Sequence, residues 1–334
     1  MAKRIGNGTV LPTGTVYIES YASAVGPKEK QGPLGAWFDK AYDDEMLGEK
    51  SFEKAESRLQ KTAVETALSK SGTAAEDIDI IFAGDLLNQC IGSAYGLRDL
   101  KIPFVGLYGA CSTMALGMIN AFLAVDGGAA EKAMAVTSSH FCSSERQFRF
   151  PLEYGGQRPP TSQWTVTGAG AVQMGKRLKG PTVSAVTIGR IIDLDVTDMN
   201  NMGAAMAPAA ADTIERFFCD TSTSPADYDL IVTGDLGFTG SELMLRLLRQ
   251  DGISLSNHND CGMMIFDRKR QDVHSGGSGC GCSASVLCSY LLKKLENGEL
   301  HNILFCATGA LMSPTACMQG ESIPSIAHLL HLKG

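Results

Sequence analysis

The sequence has 334 residues, 44% of them hydrophobic and 19% charged, with a formal net charge of −7. That length exceeds one ordinary core and implies two domains or two halves, and the acidic balance argues against a general nucleic-acid binder, which needs a basic surface. Ten cysteines, behind a start (MAKRIGNGTV) without the apolar run of a signal peptide, point to synthesis in a reducing cytoplasm rather than to a disulfide scaffold.

Gly14–Val25 reads as an opening strand, rich in β-branched and aromatic residues. Gly26–Glu49, with Pro27, Gly32, Pro33 and Gly35, reads as loop. Ser51 can cap a helix running to about Ser69, and Gly72 ends it. A strand comes next at Asp79–Gly84. The uncharged stretch Ile102–Val125 is long enough to suggest a membrane span, which takes about 20 apolar residues. Pro103, Gly106 and Gly109 break that reading. It parses instead as a short buried strand, Phe104–Leu107, a turn at Tyr108-Gly109-Ala110 and a buried helix from about Cys111 to Val125. Lys132–Thr137 is a strand. Ser143–Gln163 is polar and irregular, with Arg146, Arg149, Arg158, Pro151, Pro159 and Pro160. Val166–Met174 is a strand, and the short basic run Gly175–Pro181 connects the two halves of the chain.

The second half repeats the first. Thr182–Ile192 opens with a strand and Ala204–Phe218 is an Ala-rich helix. DYDLIVTGDL (Asp227–Leu236) then matches DIDIIFAGDL (Asp77–Leu86) at six of ten positions, at an offset of 150. Further on, Cys282 matches Cys111 and Thr308 in the strand Leu304–Thr308 matches Thr137, both at an offset of 171. Self-similarity in preserved order indicates duplication. Strands alternating with helices give an α/β class with mostly parallel sheets. Two such halves, 1–178 and 179–334, with buried central helices make a layered α-β-α-β-α arrangement.

Cys111 falls at a strand–turn–helix junction, where a helix N-terminus can lower a thiol pKa; a small buried core residue is the plainer reading. Asp85 and Asp235 are matched residues at strand ends, where α/β sites lie, or caps of the following turn. His274 is placed best among the histidines to serve a Cys nucleophile. Cys280-Gly281-Cys282 lacks the paired spacing of a zinc site, and Gly279-x-Gly281-x-x-Ala284 lacks the strand that a dinucleotide fingerprint requires. No metal and no cofactor is expected.

The residues YGACSTMALGMINA around Cys111, TGAGAVQM at Thr167–Met174 and GCGCSASV at Gly279–Val286 resemble the thiolase superfamily, closest to its β-ketoacyl-acyl-carrier-protein synthase III branch. The resemblance implies a duplicated five-layer fold with Cys111 as the acyl nucleophile. It also implies two partners that this chain lacks. Gly234 and Asp235 stand where the synthases carry a His, and Cys280 stands where they carry an Asn; a second register would bring His274 to the thiolase His position. Together with the loop RQFRFPLEYGGQRPP, these departures are similar to a sporulation family of endospore-forming bacteria. That resemblance implies binding of dipicolinate (pyridine-2,6-dicarboxylate, also called dipicolinic acid), with calcium as a possible companion. It implies a role in uptake of the ligand into the spore, with membrane partners from the same stage V operon and a peripheral place at the spore inner membrane. Homo-oligomerisation is a further possibility. Cys111, Asp85, Asp235, Cys280, Arg146, Arg149 and Arg158 are the expected ligand contacts, since arginine forks suit a planar dianion. Acyl transfer through Cys111 is the alternative.

Overall fold

The computed structural model describes residues 3–149, 157–177 and 179–334. Ten strands run through one continuous path. The first half supplies β1 (Tyr17–Val25), β2 (Ile80–Gly84), β3 (Phe104–Gly106), β4 (Lys132–Ser139) and β5 (Gly168–Gly175). The second supplies β6 (Thr182–Thr187), β7 (Leu230–Thr233), β8 (His258–Asp260), β9 (Asn302–Ala310) and β10 (Ser325–Lys333). Their order is β8-β7-β9-β10-β6-β1-β5-β4-β2-β3, a palindrome in which each strand has a counterpart across the seam. The seam is thin: β6 and β1 share one residue pair, Thr182 with Tyr17. The chain crosses between the halves after Gly175; Leu178, at the expected boundary, lies outside the described residues.

The sheets are mixed. Within the first half β3, β2 and β4 are parallel, while β5 is antiparallel to both β4 and β1. The second half does the same, with β10 antiparallel to β9 and β6. The expectation of mostly parallel sheets is corrected here: the last strand of each half slots in beside the first, and that return reverses its direction.

Helices cover the sheets in three layers. α1 (Phe52–Ser71), with its Ser51 and Gly72 caps as expected, packs Leu59, Ala63, Val64 and Ala67 on the outside of the first sheet. α2 (Ile91–Leu97) comes after the Asp85 turn on the same side. α3 (Thr113–Asp126) lies between the sheets, burying Met114, Met118, Phe122 and Val125 against residues from both. α4 (Phe141–Phe148) replaces part of the segment expected to be irregular; His140 accepts from the Cys142 amide at its start. α5 (Met202–Thr221) and α6 (Gly237–Gln250) cover the outside of the second sheet. α7 (Cys280–Val286) joins α3 in the central layer and continues through a π-helical turn, Leu287–Leu291, into Leu292–Glu296. α8 (Pro314–Met318) is a short surface helix. No described helix is long and apolar enough to cross a membrane.

Close backbone approach fixes the central layer. A Cβ on Gly281 would sit 2.3 Å from the Gly168 carbonyl oxygen, and one on Gly170 2.4 Å from that of Ala284. Helix α7 therefore lies directly on strand β5. At the far edge β3 is exposed rather than buried: Phe104 is 43% and Val105 37% accessible. An edge strand in a doubly covered sheet keeps one side open, which an apolar run alone does not reveal.

Candidate active site at Cys111

The turn before α3 closes on itself. Ser112 Oγ donates to the Gly109 carbonyl at 2.6 Å, Thr113 Oγ1 donates to that of Ala110 at 2.6 Å, and Ala110 adopts a left-handed φ of 48°. The helix proper begins at Thr113, two residues beyond Cys111. Gly309 of β9 presses against this turn; a Cβ there would lie 2.4 Å from the Gly109 carbonyl oxygen. The two halves thus meet at Cys111.

Across that contact stands Asp235. It is fully buried, and its carboxylate accepts from Thr308 Oγ1 at 2.8 Å, from the Gly279 amide at 2.8 Å and from Ser278 Oγ at 3.3 Å. The Cys111 thiol lies close enough for the two groups to influence each other's ionisation. Burial pushes the Asp235 carboxyl up to about 7, against the pull of those hydrogen bonds. Burial likewise pushes the Cys111 thiol well above its ordinary value, and the negative charge of Asp235 pushes it further. Of the two readings of Cys111, the plainer one of a buried residue fits this setting: the helix proper begins at Thr113, and burial and the Asp235 carboxylate both oppose the thiolate.

A cavity of about 60 Å³ opens on Cys111, walled by Tyr108, Phe148, Arg149, Met202 and Met312, with Glu145, Thr165 and Ser278 as further polar groups. Arg149 is its only cation among the described residues. Arg149 Nη1 donates to Glu145 at 2.8 Å one turn back on α4, while its Nε is buried without a partner among the described residues.

The other expected residues are placed elsewhere. Arg146 pairs with Glu53 and lines a separate surface groove with Leu87, Asn88 and Ile91. Arg158 donates to Asp272 at 2.8 Å and lies 4.7 Å over the Trp164 ring. Arg146 lies on α4, whereas Arg149 is its C-cap, where the backbone leaves the helix (φ −137°, ψ 24°); Arg158 is held over Trp164. His274 pairs with Asp272 at 3.2 Å, outside the cavity wall. Cys280 is fully buried, its Sγ donating to the Ser138 carbonyl at 2.9 Å. Asp85 accepts from the Leu87 and Ser93 amides at 2.9 and 2.7 Å and from Ser93 Oγ at 2.6 Å, so it caps its own turn. Pro151 and the stretch 150–156 lie outside the described residues. No histidine lines the cavity among the described residues; His140 instead contacts the Glu45 carbonyl and His258 contacts Thr233. Sequence reasoning missed Glu145, Met202 and Met312, which sit in segments without a chemical motif.

A duplicated five-layer α-β-α-β-α fold, with a cysteine turn inserted between the halves, defines a thiolase-like protein. Solved structures agree. Over 96% of this chain and all of the other, 3-oxoacyl-[acyl-carrier-protein] synthase III from Aquifex aeolicus superposes with a TM-score of 0.56 at 11% identity. OleA from Xanthomonas campestris with cerulenin bound covers 97% of this chain and 98% of its own, with a TM-score of 0.62 at 14% identity. Within that class, the family described as Stage V sporulation protein AD (SpoVAD) matches residues 6–333. A relative from Bacillus subtilis (strain 168), "Stage V sporulation protein AD", is 47% identical over 327 residues, 98% of this chain and 96% of its own. The chain belongs to the stage V sporulation protein AD family.

Proposed function

We propose that this protein acts in sporulation as a binding protein for dipicolinate, held in the cleft above Cys111, and takes part in uptake of that ligand into the developing spore. The carrying observation is the Cys111 environment. Where a condensing enzyme needs histidine-type donors to polarise a thioester, the thiol faces a buried carboxyl and no histidine lines the cavity among the described residues. The frame is retained and the condensation machinery is replaced. Arg149, whose Nε in the wall has no partner among the described residues, is the group suited to a ligand carboxylate. The cavity is small, so Arg149 has to part from Glu145 and the wall has to open as the ligand enters.

Partners and location rest on the same reading. Membrane proteins of the same operon would hold the chain peripherally at the spore inner membrane, and the open apolar edge at β3 supports self-association of two copies. Calorimetric titration of the purified chain with dipicolinate, with and without calcium, tests the proposal. Saturable binding lost in Arg149→Ala is expected; no heat under either condition would overturn it.

A second reading draws on the Cys111–Asp235 contact. A carboxyl whose pKa burial lifts to about 7 can take the thiol proton as the sulfur attacks an acyl thioester; the acyl–CoA C–S bond breaks and CoA leaves as a thiol, taking that proton back. Stable, stoichiometric acylation of Cys111 by a labelled acyl-CoA would favour acyl transfer over simple binding.

A further inference from the structure

The connections that come after the first strand of each half differ in how they treat their apolar residues. In the first half, residues 26–50 fold back and bury Leu34, Phe38 and Leu47. In the second half, residues 188–201 leave Ile191 63% and Leu194 60% accessible, with Ile188 at 44%. The neighbouring chain is just as open: Met318, at the end of α8, is 79% accessible. Hydrogen bonds bring these segments together. Ile192 and Ser325 exchange both backbone bonds at 2.8 Å, the Ile323 amide donates to Val196 at 2.8 Å, and Ser322 Oγ donates to Asp193 at 2.6 Å. The Glu321 amide then ties back to Ala316 of α8.

The charge around these apolar groups is mostly acidic; Arg190, between Ile188 and Ile191, is the exposed cation there, and it is paired with Asp212. Asp193, Asp195, Asp198 and Glu321 are all exposed. Neither 191–215 nor 302–327 contains a single Lys, Arg or His. Asp212, the acidic residue of this region that has cationic partners, takes them from Arg190 and Arg216 outside those segments. The same two segments supply Met202, Ala310 and Met312 to the wall of the Cys111 cavity, so the face borders the mouth of the site.

We propose that this face docks a cationic amphipathic segment of a protein partner, with apolar side chains against Ile191, Leu194 and Met318 and Lys or Arg against the aspartates. Exposed apolar groups ringed by like charges are stable in water but leave a surface that a complementary segment covers with gain. An anionic lipid surface is the wrong partner, because the acidic rim repels its headgroups. Docking here lies against the residues that must move for the cavity to open.

The test uses the full chain and a fluorescent, helical Leu/Lys peptide of about 20 residues, followed by anisotropy at low and moderate salt. Ile191→Ser with Leu194→Ser, and separately Asp193→Lys with Asp195→Lys, should each weaken binding about tenfold or more, while Glu76→Lys with Asp77→Lys on the first half should leave it unchanged. Circular dichroism confirms that every variant is folded. Equal weakening by the first-half variant reduces the binding to overall charge and overturns the proposal. So does unchanged binding in the Ile191/Leu194 variant, or binding of the chain to phosphatidylglycerol vesicles that these face substitutions abolish.

Discussion

In the first half Asp85 turns back on its own chain, holding the Leu87 and Ser93 amides and the Ser93 hydroxyl. Its counterpart Asp235 makes no such cap. It reaches forward to Thr308 and Gly279, beside the Cys111 thiol whose ionisation it opposes. The capping work in the second half has passed to Asp260 at the end of β8, which accepts from the Leu236 and Gly237 amides at 2.9 Å each and from Thr233 Oγ1 at 2.6 Å. A third carboxylate freed the second to face the site. Other matched features stay symmetric: Asp79 takes the Glu131 and Lys132 amides, and Asp229 takes those of His301 and Asn302. The two turns share the GDL sequence yet differ in what their aspartates hold, and Asp260 accompanies the difference.

The comparison breaks most sharply at Asp260. Asp260→Ala strands several buried donors at once and should cost about 3 kcal/mol or more of stability by urea unfolding. A loss no larger than that of an exposed aspartate would mean that Asp260 is not the cap. Next comes Gly309→Ala, whose methyl meets the Gly109 carbonyl oxygen; a loss of about 2 kcal/mol is expected, together with a changed alkylation rate at Cys111 followed by mass spectrometry. Arg149→Ala should weaken dipicolinate binding by about 1.5 kcal/mol, whereas Arg146→Ala, one groove away, should not change it. Equal effects in the two would detach the ligand from the cavity.

The mildest test separates the two aspartates by pH. Asp235 binds its proton more tightly folded than unfolded, so folded stability falls as pH rises from its ordinary 3.8 to about 7 and stays lowered above that. Asp235→Asn removes the charge, flattens this slope and should raise the melting temperature at pH 8 while changing little near pH 4. It should also lower the Cys111 thiol pKa, read as faster alkylation at a fixed pH. A melting curve at pH 8 that drops instead would show that ionised Asp235 is a net support to the fold.

Much of this was legible in the sequence. The matched decads at Asp77 and Asp227 announced the duplication, and the uncharged run after Lys101 located the buried helix and the Cys111 turn. What could not be read was environment. Nothing in GDL distinguishes an aspartate that caps from one that faces a thiol, because the difference lies in Asp260, and the residue at the matching place on β3 is Gly106. The arginines formed one group in the chain but part where α4 ends: Arg146 pairs with Glu53 on the helix, Arg149 caps its end, and Arg158, after it, is held by Asp272 and Trp164. The openness of β3 was hidden for the same reason: an apolar run looks alike whether it ends at a covered strand or at the edge of the sheet.

The glycine contacts beneath α7 bear on time rather than on shape. With Gly281 against the Gly168 carbonyl and Gly170 against that of Ala284, helix α7 has no slack to shift on β5. Any widening beyond about 60 Å³ must come from the other wall, where α4 carries Phe148 and Arg149 and where Met202 and Met312 sit on unbranched, adaptable side chains. On the proposed binding role, entry and exit of dipicolinate would be paced by that wall, and its residence time would report how often the Arg149–Glu145 pair lets go.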